Sequence, residues 1–186
     1  MKTVMICGSR NPKGQTARAA NAILEGVTKA GGGVERVFLP ALQLERCRQC
    51  NDDGWGRCRQ EGQCVIDDDF AGIVRTITDA DAVVVATPVY YSDLSESLRA
   101  FTDRLRRICT HKAGSGPVSG KPVAGVCVAG GGGGGAPAGC VSLEKVLSSC
   151  GADVVDMIPV RRQNLEAKRP VLERTGQWLA SLPQSR

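Results

Sequence analysis

Hydrophobic and polar positions alternate along this chain in two rhythms. Five short segments read as strands: Thr3–Cys7, Val34–Leu39, Ala82–Ala86, Pro122–Ala129 and Asp153–Ile158. Ala82–Ala86 is apolar without a break, the pattern of a strand covered on both sheet faces. Between them lie longer segments of helical character. Ala17–Lys29 places Ala19, Ile23 and Val27 on one face, and Gly31–Gly33 ends it. Phe70–Thr78, Leu94–Ile108, Val141–Cys150 and Pro170–Leu182 supply the other helices, with Asp67–Asp69 placed to cap the first of them and Pro88 placed to close the third strand. Strand, helix, strand in repeated order predicts right-handed βαβ units and an α/β domain, a five-stranded parallel sheet with helices on both faces.

One stretch fits neither rhythm. Residues 40–66 are non-periodic and contain Cys47, Cys50, Cys58 and Cys64 in a C-x2-C-x7-C-x5-C spacing. A loop of this length inside a compact domain is uncommon unless it has a function. Thiolates gathered so tightly are a usual way of holding a metal or an iron–sulfur cluster. A second loop, 110–120, is rich in Gly and Ser and reads as surface.

Composition narrows the class. With 186 residues, 42% hydrophobic and 23% charged, the chain fits one soluble domain, 1–186, that carries the cysteine segment as an insertion loop. No run approaches the ~20 apolar residues needed to cross a bilayer. The amino terminus passes from a strand pattern into a turn without the pattern of a signal peptide, so a cytoplasmic protein without a membrane partner is expected. Nine cysteines, an odd number, argue against a disulfide scaffold. Cys7, Cys109, Cys127, Cys140 and Cys150 sit in apolar or helical patterns and read as packing residues. The net charge of +5 is concentrated around Arg99–Lys112 and Arg161–Arg169, but aromatics are only 4% of the chain. That leaves no series of stacking platforms, and no nucleic-acid partner is expected.

Three loops would meet at the carboxyl edge of such a sheet, where α/β proteins build ligand sites. The first, Gly8–Thr16, offers Ser9, Thr16 and backbone amides at a helix start, a setting that favours phosphate. It is neither a Walker sequence nor G-x-G-x-x-G, so a mononucleotide phosphate fits better than a dinucleotide. The second, Thr87–Ser92, holds both tyrosines of the chain, Tyr90 and Tyr91, which can line a flat ring. The third is a run of six glycines, Gly130–Gly135, which lets backbone approach a ligand closely. Phosphate cradle, ring wall and glycine backbone together suit a planar, phosphorylated cofactor.

These motifs, in this order and over almost the whole chain, resemble the flavodoxin-like NADPH-dependent FMN reductases, and particularly their iron–sulfur flavoprotein branch. Gly8-Ser9-Arg10-Asn11-Pro12-Lys13-Gly14-Gln15-Thr16 is similar to the family's loop around the FMN phosphate. Pro88-Val89-Tyr90-Tyr91-Ser92 followed by Ala100-Phe101-Thr102-Asp103-Arg104 resembles its flavin-lining signature, with Ser92 where the family has glycine. Gly130–Gly134 matches its glycine-rich flavin loop. The resemblance implies a three-layer sandwich with sheet order 2-1-3-4-5 and an FMN site. Its residues would be Ser9, Arg10, Asn11, Gly14, Gln15, Thr16, Pro88, Val89, Tyr90, Tyr91, Ser92, Gly130, Gly131, Gly132, Gly133 and Gly134. It also implies a homodimer or homotetramer, with the helix at 94–108 and the aromatic loop in subunit contacts.

Cys58–Asp68 follows the branch pattern closely, whereas the seven residues between Cys50 and Cys58 replace a gap of two in compact cluster-binding members. Gly54 and Gly56 allow that added loop to return sharply. Three readings of the cysteines stand at this point: a [4Fe–4S] cluster, structural zinc, or thiols without a metal. The first makes the chain an electron relay between FMN, a cluster and a donor such as a ferredoxin or NAD(P)H. The alternative is an NAD(P)H-dependent FMN or quinone reductase without a cluster; a zinc-stabilised flavin-binding protein without enzymatic activity is a further reading. No side chain is assigned as general acid or base, His111 included.

Overall fold

The computed structural model describes residues 1–111 and 114–182. Lys112, counted above in a basic region and in the 110–120 loop, lies outside them. Five parallel strands, β1 (Lys2–Cys7), β2 (Gly33–Phe38), β3 (Ala82–Val89), β4 (Pro122–Ala129) and β5 (Asp153–Arg161), form one sheet in the order β2-β1-β3-β4-β5. Among the described residues six α-helices accompany it: α1 (Gln15–Lys29), α2 (Arg57–Glu61), α3 (Phe70–Thr78), α4 (Glu96–Cys109), α5 (Ala136–Ser149) and α6 (Leu165–Ser181). The expected three-layer sandwich and strand order are both present.

Successive side chains of a strand face opposite layers, and the two cores follow that alternation. Met5, Cys7, Val84, Ala86, Val126 and Val160 pack under α1 and α6. Val4, Ile6, Val83, Val85 and Val123 pack against α3, α4 and α5. Each fully buried Val or Leu contributes about 1.5–3 kcal/mol relative to exposure. Where α1 and α6 touch, both helices are glycine: a Cβ on Gly26 would lie 1.9 Å from the Glu173 carbonyl oxygen, and one on Gly176 would lie 1.8 Å from that of Ile23. The helices meet backbone to backbone.

Several boundaries differ from the pattern reading. Strand β3 runs through Pro88 to Val89. The Ala86 carbonyl accepts the Gly8 N–H at 2.8 Å, so Pro88, two residues on, faces the same side where β1 has already ended. No ladder bond is lost there. Helix α6 starts five residues before Pro170, and α5 starts at Ala136, directly after the glycines. The aspartates before α3 divide their work: Asp68 accepts the Phe70 N–H at 3.1 Å, while Asp69 accepts the Gln43 N–H at 2.7 Å and caps nothing.

Residues 40–66 leave the carboxyl end of β2 and contain one helix that periodicity does not mark, α2, five residues long and carrying Cys58. The segment is pinned at its neck. The Asp69 N–H donates to the Gln43 carbonyl at 3.1 Å, the Glu45 N–H donates to Asp68 at 2.8 Å, and the Arg104 guanidinium of α4 donates to both the Glu45 carbonyl and Asp68. Entry and exit of the loop are thereby fastened to each other and to the core.

Of the scattered cysteines, Cys7, Cys127, Cys140 and Cys150 are buried and Cys109 is half-buried. Burial pushes the Cys7 thiol up to about 11, against a hydrogen bond from the Ser9 backbone. It is a packing thiol, protonated at neutral pH. No helix among the described residues is long and apolar enough to cross a membrane.

Candidate functional site

At the carboxyl edge of the sheet, the ends of β1, β3 and β4 enclose a cleft of about 840 Å³. Nine of the residues singled out in the sequence line it: Gln15, Thr16, Pro88, Val89, Tyr90, Tyr91, Gly130, Gly131 and Gly134. Ser9, Arg10, Asn11, Gly14, Ser92, Gly132 and Gly133 belong to the same three loops but not to its wall. Asp93, Leu94, Glu96 and Val128 also line it and have no chemical signature in the sequence.

The first loop is built to present amides. Asn11 closes it, its side chain accepting the Lys13 N–H at 2.9 Å and its carbonyl the Gly14 N–H at 3.0 Å. Helix α1 then begins at Gln15, after Gly14, with no side-chain cap and no acidic residue in its first turn. Its first N–H groups therefore meet the cleft without an internal acceptor, and the helix dipole adds partial positive charge. The buried Thr16 and Ser9 stand beside them.

The second loop is a two-residue hairpin. Tyr90 and Asp93 exchange backbone hydrogen bonds at 3.0 Å, with Tyr91 (φ 50°) and Ser92 (φ 63°) between them in left-handed conformation. This is the type I′ turn that Asn-Gly ordinarily fills. It leaves Tyr90 and Tyr91 exposed at 57% and 105%, an aromatic pair without a protein neighbour to bury it. Asp93 ties the hairpin to α4 through an ion pair with Arg99. The Leu94 N–H and this guanidinium are among the groups that hold its carboxyl below the usual carboxylate range. Replacing Ser92 by Gly removes the steric cost of the left-handed Cβ, so Ser92→Gly is expected to raise stability by about 0.5–1 kcal/mol in urea unfolding. Unchanged stability would mean that the turn is unstrained.

Behind the hairpin, Thr87 and Ser95 fasten the loops together. The Ser95 N–H donates to Thr87 Oγ1 at 3.0 Å, and the Ser95 hydroxyl, which caps α4, donates to the Gly8 carbonyl at 3.2 Å. Ser97 donates to the same carbonyl at 3.1 Å. A Cβ on Gly8 would lie 2.4 Å from Ser95 Oγ.

The glycine run divides by position. Gly131, Gly133 and Gly135 have positive φ, and a Cβ on Gly135 would press on Ser92. At Gly130, Gly132 and Gly134 there is neither a positive φ nor any protein atom within 4 Å of a Cβ. Nothing internal requires glycine there; what it leaves is open space along the backbone.

The four clustered cysteines line one further cavity, together with Arg48, Arg57, Arg104, Arg107 and the loop glycines Gly54 and Gly56. Cys58 is buried, Cys47 and Cys64 are half-buried and Cys50 is exposed. The seven-residue gap does return sharply: the Gly54 N–H donates to the Asn51 carbonyl at 2.7 Å, and Gly54 has φ 74°. Arg107 donates to the Gly54 carbonyl at 2.6 Å and, with Arg59, stacks on Trp55. The enclosed space is about 20 Å³, room for roughly one water, and Cys50 is the exposed thiol of the four. Among the described residues no three Cys, His, Asp or Glu side chains converge as they would around a single ion.

Arg104 belongs to the basic region around Arg99–Lys112, yet its side chain is 1% exposed. It pairs with Asp68 through two hydrogen bonds of 2.6 and 2.9 Å, lies over the Phe70 ring at 4.1 Å, and donates to Cys64 Sγ at 3.4 Å. Helix α4 thus serves both places. Its first turn borders the cleft, and Arg104 lies eight residues on, about 12 Å along the axis.

Sheet order, layer arrangement and a cleft at the start of α1 make this a flavodoxin-like α/β protein. The family model described as NADPH-dependent FMN reductase matches residues 1–164, and the chain belongs to that family. Its curated relatives include an iron-sulfur flavoprotein of Archaeoglobus fulgidus, 32% identical over 105 residues, which are 56% of this chain and 46% of the relative. Another, from Methanosarcina thermophila, is 33% identical over 104 residues, 56% of this chain and 52% of the relative. The matched segment spans about half the length of these relatives. An NAD(P)H:quinone oxidoreductase from Methanothermobacter marburgensis superposes with a TM-score of 0.69 at 18% identity, covering 100% of this chain and 99% of that one. A flavodoxin from the domain Archaea gives 0.62 at 14%, covering 97% and 96%. At such identities the likeness is one of fold.

Proposed function

We propose that the chain is an FMN-dependent oxidoreductase that relays electrons between FMN in the strand-end cleft and a [4Fe–4S] cluster held by Cys47, Cys50, Cys58 and Cys64. The observation that carries the flavin half is the glycine run: the cleft-lining positions 130 and 134 are glycine without an internal reason. FMN, when bound, supplies the ability to exchange one or two electrons. The amides at the start of α1, with Ser9 and Thr16, hold its phosphate. The turn at Tyr90–Tyr91 and the backbone of Gly130–Gly134 flank its ring and keep water from it. Arg10, Asn11, Gly14, Gln15, Pro88, Val89 and Ser92 complete or support these walls.

The cysteine half rests on the donor set. Four thiols beside four arginines suit an anionic, thiolate-ligated group. A cubane cluster binds each cysteine through a different iron, so its thiols need not converge on one point as they must for zinc. The electron donor is a ferredoxin-type protein or NAD(P)H, and the working form is a homodimer or homotetramer.

Anaerobic reconstitution with FMN, iron and sulfide tests both halves on one sample. Stoichiometric flavin with matched iron and acid-labile sulfide is expected, FMN binding more tightly than riboflavin. Flavin without iron or sulfide would leave the second reading, an NAD(P)H-dependent FMN or quinone reductase. The family description, NADPH-dependent, favours that outcome should the cluster fail.

A further inference from the structure

We infer that Arg104 is a positioning residue for the cysteine centre, setting how readily an electron is taken up beside Cys64. The inference rests on the cluster reading and goes beyond it, because nothing in the cysteine spacing points to α4.

A guanidinium is always charged, and burying one is costly unless it is fully paired. Arg104 is buried, and its donors are divided. Nη1 is used by Asp68 and the Glu45 carbonyl, while Nη2 serves Asp68 and the Cys64 sulfur. Nε is buried with no hydrogen-bond partner, as is Nε of Arg107, which lines the same cavity. An unpartnered buried N–H costs about 1–3 kcal/mol. A residue kept only to pair with Asp68 would not need to reach the sulfur. Reaching it places a permanent cation 3.4 Å from one proposed ligand atom, in a cavity that Arg107 also lines, while Arg48 and Arg57 there are paired with Glu45 and Glu61.

The consequence follows from charge. A one-electron reduction adds one negative charge to the thiolate-bound group. A donor to sulfur, and a cation beside it, stabilise the more negative state. Arg104 therefore raises the reduction potential of the centre and fixes Cys64 against α4.

The variant must separate this from the ion pair. Removing Arg104 alone strands the Asp68 carboxylate, so Arg104→Met is combined with Asp68→Asn, whose single amide oxygen keeps one of the two N–H groups now shared between Oδ2 (Glu45) and Oδ1 (Phe70). Arg104→Lys, which keeps the charge, is the conservative comparison. Each protein is reconstituted anaerobically, assayed for iron and sulfide, and titrated with dithionite while the cluster is followed by electron paramagnetic resonance. The double variant, which removes one cation and one anion together and so tests the lost N–H to Cys64, is expected to hold iron yet reduce at a more negative potential, with Arg104→Lys between it and the wild type. An iron-replete double variant with the wild-type potential would overturn the inference and leave the cluster intact. Wild-type protein that takes up no iron overturns the cluster reading, and this inference with it.

Discussion

Arg104→Ala is expected to cost about 3–5 kcal/mol of stability, the largest loss of any single change outside the two hydrophobic layers. The reason is the charge left behind. The Asp68 side chain is 5% exposed and would keep its carboxylate without its only cation and without two of its four hydrogen bonds among the described residues. The Glu45 carbonyl would lose its donor as well, so the neck of the cysteine loop would open. Urea unfolding of Arg104→Ala against Arg104→Met/Asp68→Asn decides between mechanisms. The double variant, with neither charge buried, should recover part of the loss; equal destabilisation would show that the hydrogen bonds it also lacks and the packing over Phe70, not charge, are what matter.

The same pair predicts a pH dependence with a definite sign. Burial alone would raise the Asp68 carboxyl, but the Arg104 hydrogen bonds, with the Glu45 and Phe70 N–H groups, hold it below the usual carboxylate range. A carboxyl depressed in the folded state contributes stability that is complete above the unfolded value of about 3.9. That contribution is lost as pH falls through the folded value. The gap in urea midpoint between wild type and Asp68→Asn should be widest at neutral pH and narrow below about pH 4. A gap constant from pH 7 to pH 3 would mean that the carboxylate is not favoured by folding.

How far the sequence foretells this molecule depends on whether a feature is local. The unbroken run Ala82–Ala86 could only be a strand covered on both faces, and the glycines at 31–33 mark the end of α1 without help from tertiary structure. The three loops were legible because their residue types do their work through backbone or simple exposure. Arg104 was not. In sequence it is one arginine among Arg99, Arg106 and Arg107, and only helical phase relative to Phe101 and Leu105 turns it inward. Its partners, 36 and 40 residues away, are set by tertiary packing. Thr87 and Ser95 were hidden for the same reason: a hydroxyl that bonds a carbonyl 87 residues earlier looks like any surface serine. The five-residue helix around Cys58 is too short for periodicity to register.

Gly130→Ala/Gly134→Ala is expected to move stability and flavin affinity in opposite directions. Neither position has a positive φ, and a methyl group at either meets no protein atom within 4 Å. Replacing Gly where the backbone suits alanine stabilises a fold by about 0.4–1 kcal/mol per site, because the unfolded chain loses freedom. An ordinary flexible loop would show that gain and nothing more. If the backbone of 130–134 is instead the wall against which FMN lies, two methyl groups intrude on the ring. Close packing at a ligand surface tolerates that poorly, and a loss of about 10- to 100-fold in FMN affinity follows, roughly 1.4–2.7 kcal/mol. Fluorescence titration with FMN and urea unfolding on the same variant measure both effects. Higher stability with unchanged affinity would remove the glycine run from the flavin site, leaving the α1 amides and the tyrosine hairpin to account for binding. Higher stability with weakened binding would show that these two glycines are kept for the ligand rather than for the fold.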